Sequence, residues 1–221
     1  PADGRGQTQH LVITATSGVT STVYDTVSDT IFVLFTPGLE FRQDEWGSTR
    51  PLETITYTHW LTNNGDGQDT YTLSHSELPG WVVTIVPPQV TLPLSGSQPI
   101  AVGLTPPAPQ HAISGTQVSL VITATSSYSP AVWAAVTDTT TISQVSGLSL
   151  APDQSGSGWP GQALVYSYTL TQLGNYTQAV VFTYTTAPDD WAVSIPSGQL
   201  LAPGQSVSVS ARVTVPLGAP A

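Results

Sequence analysis

Short runs of alternating apolar and polar residues dominate the chain and predict β-strands. In residues 207–215 every odd-numbered residue is Val or Ala and every even-numbered one is polar, which is the period of a half-buried strand. Residues 54–61 are β-branched and aromatic and lead to Asn64-Gly65, a dipeptide typical of hairpin turns. We therefore predict residues 70–73 as the hairpin partner. Helical periodicity is everywhere interrupted by Pro, Gly or β-branched residues, so we predict an all-β chain.

The chain repeats itself with a period of 109 residues. The sequence of residues 11–17, LVITATS, recurs unchanged at residues 120–126, and the same shift carries Tyr57 to Tyr166. A repeat this long with almost no gaps is one domain per period. Each period holds about seven short strands separated by turn residues, which is typical of an immunoglobulin-like antiparallel β-sandwich. We call two residues related by this shift counterparts.

The period is out of phase with the chain ends. Residues 34–143 contain one complete module, and residues 144–221 lack the last strands of a second. Residues 1–33 contain two strands with the missing pattern. We expect residues 1–33 to complete the unfinished module of a neighbouring copy by strand addition. One module is then split across the chain termini, and the head-to-tail contact generates an open fibre.

Two sets of apolar side chains are predicted to meet at this joint. The inter-subunit strands contribute Leu11, Ile13, Ala15, Val23, Tyr24, Val27, Ile31 and Val33. The core of the accepting module is predicted from Tyr166, Trp191, Val193, Val209 and Val213. Such a joint buries roughly ten apolar side chains at about 1.5–3 kcal/mol each, before the costs of ordering. It is therefore expected to be long-lived.

Composition and charge narrow the choice of partners. The chain has four Arg, no Lys and fourteen acidic residues, giving a net charge of -10. This charge repels nucleic acid and anionic membrane surfaces, and no apolar run is long enough to span a bilayer. Without Cys there is no disulfide and no thiolate site. The low charge and abundant Thr, Ser, Gly and Pro favour an extracellular protein of a cell surface.

No residue group with catalytic chemistry occurs in both copies. His59, for example, has Tyr168 as its counterpart. Residues 63–69 offer oxygen atoms of the kind that bind Ca²⁺, but the second copy lacks the carboxylates, which favours a simple turn. We expect no enzymatic activity, no cofactor and no metal. Residues 175–177 form an Asn-Tyr-Thr sequon, so Asn175 is a candidate glycosylation site.

Two further features differ between the copies. Residues 40–50 hold three carboxylates and two Arg, whereas residues 149–159 are nearly uncharged. We interpret residues 40–50 as an exposed connection between modules or as a contact surface for a neighbour. Trp60, Trp133 and Trp159 are candidates for stacking on a sugar ring, although none has a Trp counterpart. Carbohydrate therefore stays a second candidate partner.

Three segments of the chain resemble the NPCBM-associated Ig-like module: Leu61-Thr62-Asn63-Asn64-Gly65, Leu78-Pro79-Gly80-Trp81 and Val121 to Ser126. Modules of this family occur as repeats in secreted bacterial surface proteins and beside glycosidase domains. The resemblance covers residues 38–142 once, and a second time in split form across the chain ends. In the second copy Gln-Leu-Gly at residues 172–174 departs from the pattern. The resemblance implies an Ig-like fold and a spacer or accessory role, without catalytic residues.

These patterns together predict a structural subunit of an extracellular, pilus-like filament formed as a homopolymer. In a variant of this hypothesis, the repeating units are joined covalently in one long polypeptide. The alternative is a spacer or carbohydrate-binding accessory module of a secreted glycosidase or adhesin.

Overall fold

In the computed structural model, which describes residues 8–186 and 191–218, every regular element is a β-strand. No helix long and apolar enough to cross a membrane is present in these residues. The strands are β1 Thr8–Thr16, β2 Tyr24–Phe32, β3 Leu39–Arg42, β4 Glu45–Thr49, β5 Ile55–Asn63, β6 Asp69–His75, β7 Val82–Val86, β8 Gln89–Leu92, β9 Ser97–Thr105, β10 Gln117–Ser126, β11 Trp133–Ile142, β12 Leu148–Ala151, β13 Ala163–Gln172, β14 Gln178–Val181, β15 Ala192–Ser194, β16 Gly198–Leu201 and β17 Ser206–Thr214. The all-β prediction is confirmed.

The first module, β3 to β11, is a complete two-sheet sandwich. One sheet has the strand order β3-β5-β9-β7, and the other has the order β4-β11-β10-β6-β8. The strands β5 and β9 are antiparallel, with Ile55 opposite Leu104 and Thr62 opposite Ser97. This arrangement confirms the immunoglobulin-like antiparallel sandwich that the alternating pattern predicts.

The core of this module follows from alternation along its strands. In β5 the side chains of Tyr57, His59 and Leu61 are buried, whereas Thr58 and Trp60 between them are exposed. One face of each sheet therefore faces its partner, and the other faces solvent. The main cluster of buried apolar side chains consists of Phe41, Tyr57, Leu61, Tyr71, Leu73, Val90, Leu92, Ile100, Val102, Leu104, Leu120, Ile122, Ala124 and Val136.

The predicted hairpin at Asn64-Gly65 is wrong, because β5 and β6 lie in different sheets. Both strands turn apolar side chains toward the same core, so the chain crosses from one sheet to the other. The buried amide of Asn63 fixes this crossing. Its Nδ2 donates to the carbonyls of Gly67 at 2.8 Å and Leu92 at 3.0 Å, and its Oδ1 accepts from the Gly65 N–H.

The structure of the charged segment, residues 40–50, also differs from the predicted connection between modules. Residues 39–42 form β3 and pair with β5 in one sheet. Residues 45–49 form β4, beside β11 in the other sheet. The segment therefore begins the first module and contributes to both sheets. Its charged side chains lie at exposed or half-buried positions along these edge strands.

The second module repeats only part of this sandwich. Its sheets have the orders β12-β13-β17-β15 and β14-β16. Leu164 lies opposite Val213, as their counterparts Ile55 and Leu104 lie opposite each other. The register of β12 with β13 likewise repeats that of β3 with β5. The register of β14 with β16 repeats that of β6 with β8. Within residues 8–186 and 191–218, this module has no counterpart of β4, β10 or β11.

The hairpin of β1 and β2 has the form of β10 and β11. The Ser17 N–H donates to the Val23 carbonyl at 2.8 Å, as the Ser126 N–H donates to the Val132 carbonyl at 3.0 Å. Throughout the described part of the chain, β1 and β2 pair only with each other. The hairpin thus has the form of two inner strands of a sandwich sheet, without the neighbouring strands.

The chain divides into two compact units. One contains residues up to 47 together with residues 55–104 and 118–139. The other contains residues 48–54, 105–117 and those from 140 onward. The core of the first module lies in the first unit, and the strands of the second module lie in the second.

Candidate functional site

The hairpin of β1 and β2 presents a core sequence to solvent. Every residue of both strands is exposed. Among the predicted inter-subunit residues, Leu11 is 48%, Ile13 is 51% and Val27 is 56% exposed. Their counterparts in the first module are buried: Leu120 at 0%, Ile122 at 0% and Val136 at 3%. Because the same side chains fill a core elsewhere in the chain, this exposed apolar face is a candidate interaction surface.

The other predicted inter-subunit residues are less uniform. Ala15, Val23, Tyr24 and Ile31 are exposed, and Val33 is half-buried. Tyr24 differs from the others because its counterpart, Trp133, is itself exposed in the complete module. The repeat therefore assigns Tyr24 to the outer face of the hairpin. The counterparts of Leu11, Ile13, Ala15 and Val27 belong to the main buried cluster of the first module, and Ile142, the counterpart of Val33, is buried as well.

The second module has a much smaller core than the first. Its buried cluster consists of Leu170, Val180, Leu201 and Val209. Of the predicted acceptor residues, Val209 is buried, whereas Tyr166, Trp191, Val193 and Val213 are only half-buried. The counterpart of Val213 in the first module, Leu104, is fully buried. The inner face of this sheet is thus left partly uncovered where β10 and β11 would pack.

The free edge of β14 also shows the effect of the missing strands. In the first module, Leu73 at the end of β6 pairs with Ala124 of β10. The counterpart of Leu73, Phe182, lies beyond the end of β14. The hydrogen bond from the Leu73 N–H to the Pro88 carbonyl is 2.9 Å, whereas its counterpart from Phe182 is 3.4 Å. An unpaired strand edge of this kind is a template for another strand.

A buried ion pair joins the two sheets of the first module. The His59 Nε2 lies 3.0 Å and 3.2 Å from the two carboxylate oxygens of Asp138, and its Nδ1 lies 2.8 Å from the Gln43 carbonyl. Burial lowers the pKa of His59, but the hydrogen bond and charge of Asp138, with Gln43 and Glu45, outweigh it. The net pKa lies above the ordinary value, which favours the imidazolium form, in which both ring nitrogens donate.

This ion pair predicts how the stability of the first module depends on pH. In the unfolded chain His59 titrates near a pKa of about 6.5, and folding raises that pKa. Its stabilising effect is therefore complete below about pH 6.5 and is lost as the pH rises through the folded value. We expect the free energy of unfolding, measured by urea titration, to fall as the pH rises above about 6.5. The same titration of a His59→Gln variant lacks this decline, and a wild-type value constant over this range contradicts the assignment.

The candidate glycosylation site, Asn175, is fully buried. Its Nδ2 donates to the carbonyls of Ala112 and Ser143, both at 2.9 Å, and its Oδ1 accepts from the Val145 N–H at 2.8 Å. Both amide hydrogens are thus used within the second unit. In this fold the nitrogen has no room for a glycan, and the side chain holds the turn against two neighbouring segments.

A shallow groove of about 640 Å³ lies beside the exposed ring of Trp60. Glu40, Arg42 and Asp44 contribute polar groups to its wall. The counterpart of Trp60 is Thr169, so this combination occurs once in the chain. Trp133 and Trp159 are exposed as well but do not line this groove. Within the described residues, no group of three or more His, Asp or Glu is placed to hold a metal ion.

Comparisons with known proteins do not assign this chain to a family. No protein-family model and no curated protein matches the chain. A protein of unknown function from Porphyromonas gingivalis is 11% identical, with a TM-score of 0.37, over 80% of this chain and 83% of that one. A chaperone–tip adhesin complex of CFA/I fimbriae is 10% identical, with a TM-score of 0.35, over 77% and 87%. A PapD-like domain of human CEP192 is 13% identical, with a TM-score of 0.35, over 47% and 84%. These likenesses are distant, and the resemblance to NPCBM-associated modules stays an expectation.

Proposed function

We propose that this chain is a structural subunit of an extracellular filament that assembles head to tail. In this assembly the hairpin of β1 and β2 of one copy completes the second module of the next copy. The observation that carries the proposal is a residue-by-residue match. Of the three strands that the second module lacks in the described part of the chain, the hairpin repeats two, β10 and β11, and it holds their core side chains in solvent.

The gain from this assembly comes mainly from apolar burial. Leu11, Ile13 and Val27 move from half exposure to positions whose counterparts are almost fully buried. Each such side chain contributes about 1.5–3 kcal/mol, from which the costs of association and ordering are subtracted. Because β1 and β2 are already paired with each other, the backbone of the hairpin loses little further conformational entropy on binding. The net gain favours a joint that dissociates slowly.

The arrangement of the two surfaces favours a fibre over a closed dimer. Each copy carries one donor hairpin and one acceptor module, formed by different residues. A contact between unlike surfaces leaves a free donor at one end of the assembly and a free acceptor at the other. Growth therefore continues, and the proposal requires neither catalysis nor a cofactor.

Removal of the hairpin is the simplest test of this proposal. We expect the purified chain to form fibres in electron micrographs that dissociate in denaturant to subunits of 23.1 kDa. The same chain without residues 8–32 is expected to form none, because the acceptor then has no donor. A synthetic peptide of residues 8–32 is expected to bind this shortened chain without producing fibres. Normal fibres from the shortened chain contradict the proposal.

Carbohydrate binding is a second candidate function, supported by the groove beside Trp60. An exposed indole next to carboxylate and guanidinium groups is the combination that stacks on a sugar ring and binds its hydroxyls. The two functions are compatible, because residues of the groove and of the hairpin's apolar face do not overlap. In a filament, one such groove would recur with every subunit.

A further inference from the structure

We infer that the donor hairpin enters the second module in a single register, fixed by two polar contacts between copies. In this register Thr14 lies opposite Thr183, Ser17 lies beside Gln178, and Asp29 lies beside Tyr168. The inference rests on the proposed assembly, since these contacts form only when the hairpin of one copy completes the module of another.

The register itself follows from the first module. There β10 pairs with β6 so that Thr123 lies opposite Ser74 and Ser126 lies opposite Tyr71. The shift of 109 residues applies to both strands, because the one insertion of the repeat falls later, before Trp191. It also reproduces the registers of the strand pairs already present in the second module. The resulting pairs are Ile13 with Tyr184, Thr14 with Thr183, Ala15 with Phe182, Thr16 with Val181 and Ser17 with Val180.

Apolar burial alone does not select this register. A slip by one residue turns the apolar side chains outward and is strongly unfavourable. A slip by two residues keeps Leu11, Ile13 and Ala15 on the inner face, because they alternate with Val12 and Thr14. The two-residue slip is therefore the competing arrangement, and it must be excluded by contacts other than those of the aliphatic side chains.

The first polar contact joins the hydroxyl group of Ser17 to the side-chain amide of Gln178. In the first module the buried Ser126 Oγ donates to Asp69 Oδ2 at 2.5 Å and accepts from the Ser129 N–H at 3.1 Å. In the hairpin, Ser17 Oγ retains the second of these bonds, accepting from the Thr20 N–H at 3.2 Å. No acceptor for its own hydrogen occurs among the hydrogen bonds of the described residues.

The matching acceptor occurs in the second module. Gln178 is the counterpart of Asp69, and its Oε1 is buried without a hydrogen-bond partner in the described part of the chain. A buried polar atom without a partner costs about 1–3 kcal/mol. Each copy therefore has an unused donor in its hairpin and an unused acceptor in its second module. The register above brings Ser17 of one copy to Gln178 of the next.

The second polar contact replaces the ion pair of the first module. Asp29 is the counterpart of Asp138, and Tyr168 is the counterpart of His59. Asp29 is exposed in the hairpin, and Tyr168 is half-buried on the inner face of β13. In the inferred register the Tyr168 hydroxyl donates to the Asp29 carboxylate. A two-residue slip moves that carboxylate away from its donor, and burying it unpaired is costly.

Disulfide trapping tests this register directly. The chain has no Cys, and residues opposite each other on antiparallel strands have Cα atoms about 4.5–5.5 Å apart, within the range of a disulfide. We expect fibres of a Thr14→Cys, Thr183→Cys variant to yield a ladder of covalent oligomers after oxidation. Two further double variants combine Thr14→Cys with Val181→Cys or with Thr185→Cys and report the two registers slipped by two residues. We expect these variants to yield few covalent oligomers. Single-Cys variants give at most dimers.

The possible outcomes distinguish an error in the inferred register from an error in the proposed assembly. A stronger ladder from a slipped pair, in fibres of normal appearance, overturns the register and leaves the proposed function intact. Absence of fibres from the wild-type chain overturns both. A further change, Ser17→Ala, removes the first polar contact and is expected to raise the slipped product roughly tenfold. An unchanged product distribution in that variant contradicts the role given to Ser17 and Gln178.

Discussion

Replacing Ile13 with Asp is expected to abolish fibre formation, whereas replacing its neighbour Val12 with Asp is expected to preserve it. In the isolated subunit both side chains are exposed, at 51% for Ile13 and 62% for Val12. Their counterparts differ sharply, because Ile122 is 0% and Val121 is 38% exposed. An unpaired carboxylate in an apolar core costs several kcal/mol, while a surface substitution changes stability by about 0.5 kcal/mol or less.

This comparison distinguishes core insertion from a general surface effect. Both variants carry the same added charge on adjacent residues of one strand. Sedimentation and electron microscopy measure the fraction of chain in fibres. We expect the first module to unfold at the same urea concentration in both variants, since the hairpin pairs with no strand of that module. Equal assembly of the two variants contradicts insertion of the Ile13 side chain into a core.

Replacing Asp138 with Ala is expected to lower the free energy of unfolding of the first module by about 3–5 kcal/mol, the usual effect of breaking a buried ion pair. The change leaves His59, fully buried, without its carboxylate. The matched control is Asp29→Ala, a change of the same residue type at the counterpart position, where the side chain is exposed. That control is expected to leave the unfolding of the first module unchanged.

Both aspartate variants are best compared in chains that also carry Ile13→Asp, so that assembly does not contribute to the measured stability. Urea unfolding followed by tryptophan fluorescence gives the two free energies. A loss below about 1 kcal/mol for Asp138→Ala, the range of exposed pairs, contradicts a structural role for the ion pair. A loss that is equal in the two variants contradicts the distinction between buried and exposed counterparts.

The fold was accessible to sequence reasoning because the repeat and the alternation agree. The identity of residues 11–17 with residues 120–126 fixes the period. Alternation within residues 207–215 places β17 and its inward face, since a strand with one buried face has little freedom of register. The same logic separates Ile13 from Val12 before any contact is known.

Other features depend on which strands become neighbours, which local patterns do not specify. His59 and Asp138 are 79 positions apart, so no local pattern relates them. The second copy has Tyr168 in place of His59, which suggests from sequence that the histidine has no specific role. Asn175 lies in a sequon, but residues 112 and 143 close over it. The Asn64-Gly65 dipeptide correctly predicts the end of β5, but it does not predict that the chain changes sheets there.

A residue-resolution electron cryo-microscopy map of fibres assembled from the purified chain tests the central claim most directly. The account predicts that residues 8–32 of each subunit lie within the second module of the next, with Ile13 buried and paired opposite Tyr184. A hairpin left in solvent or paired with another surface contradicts this prediction.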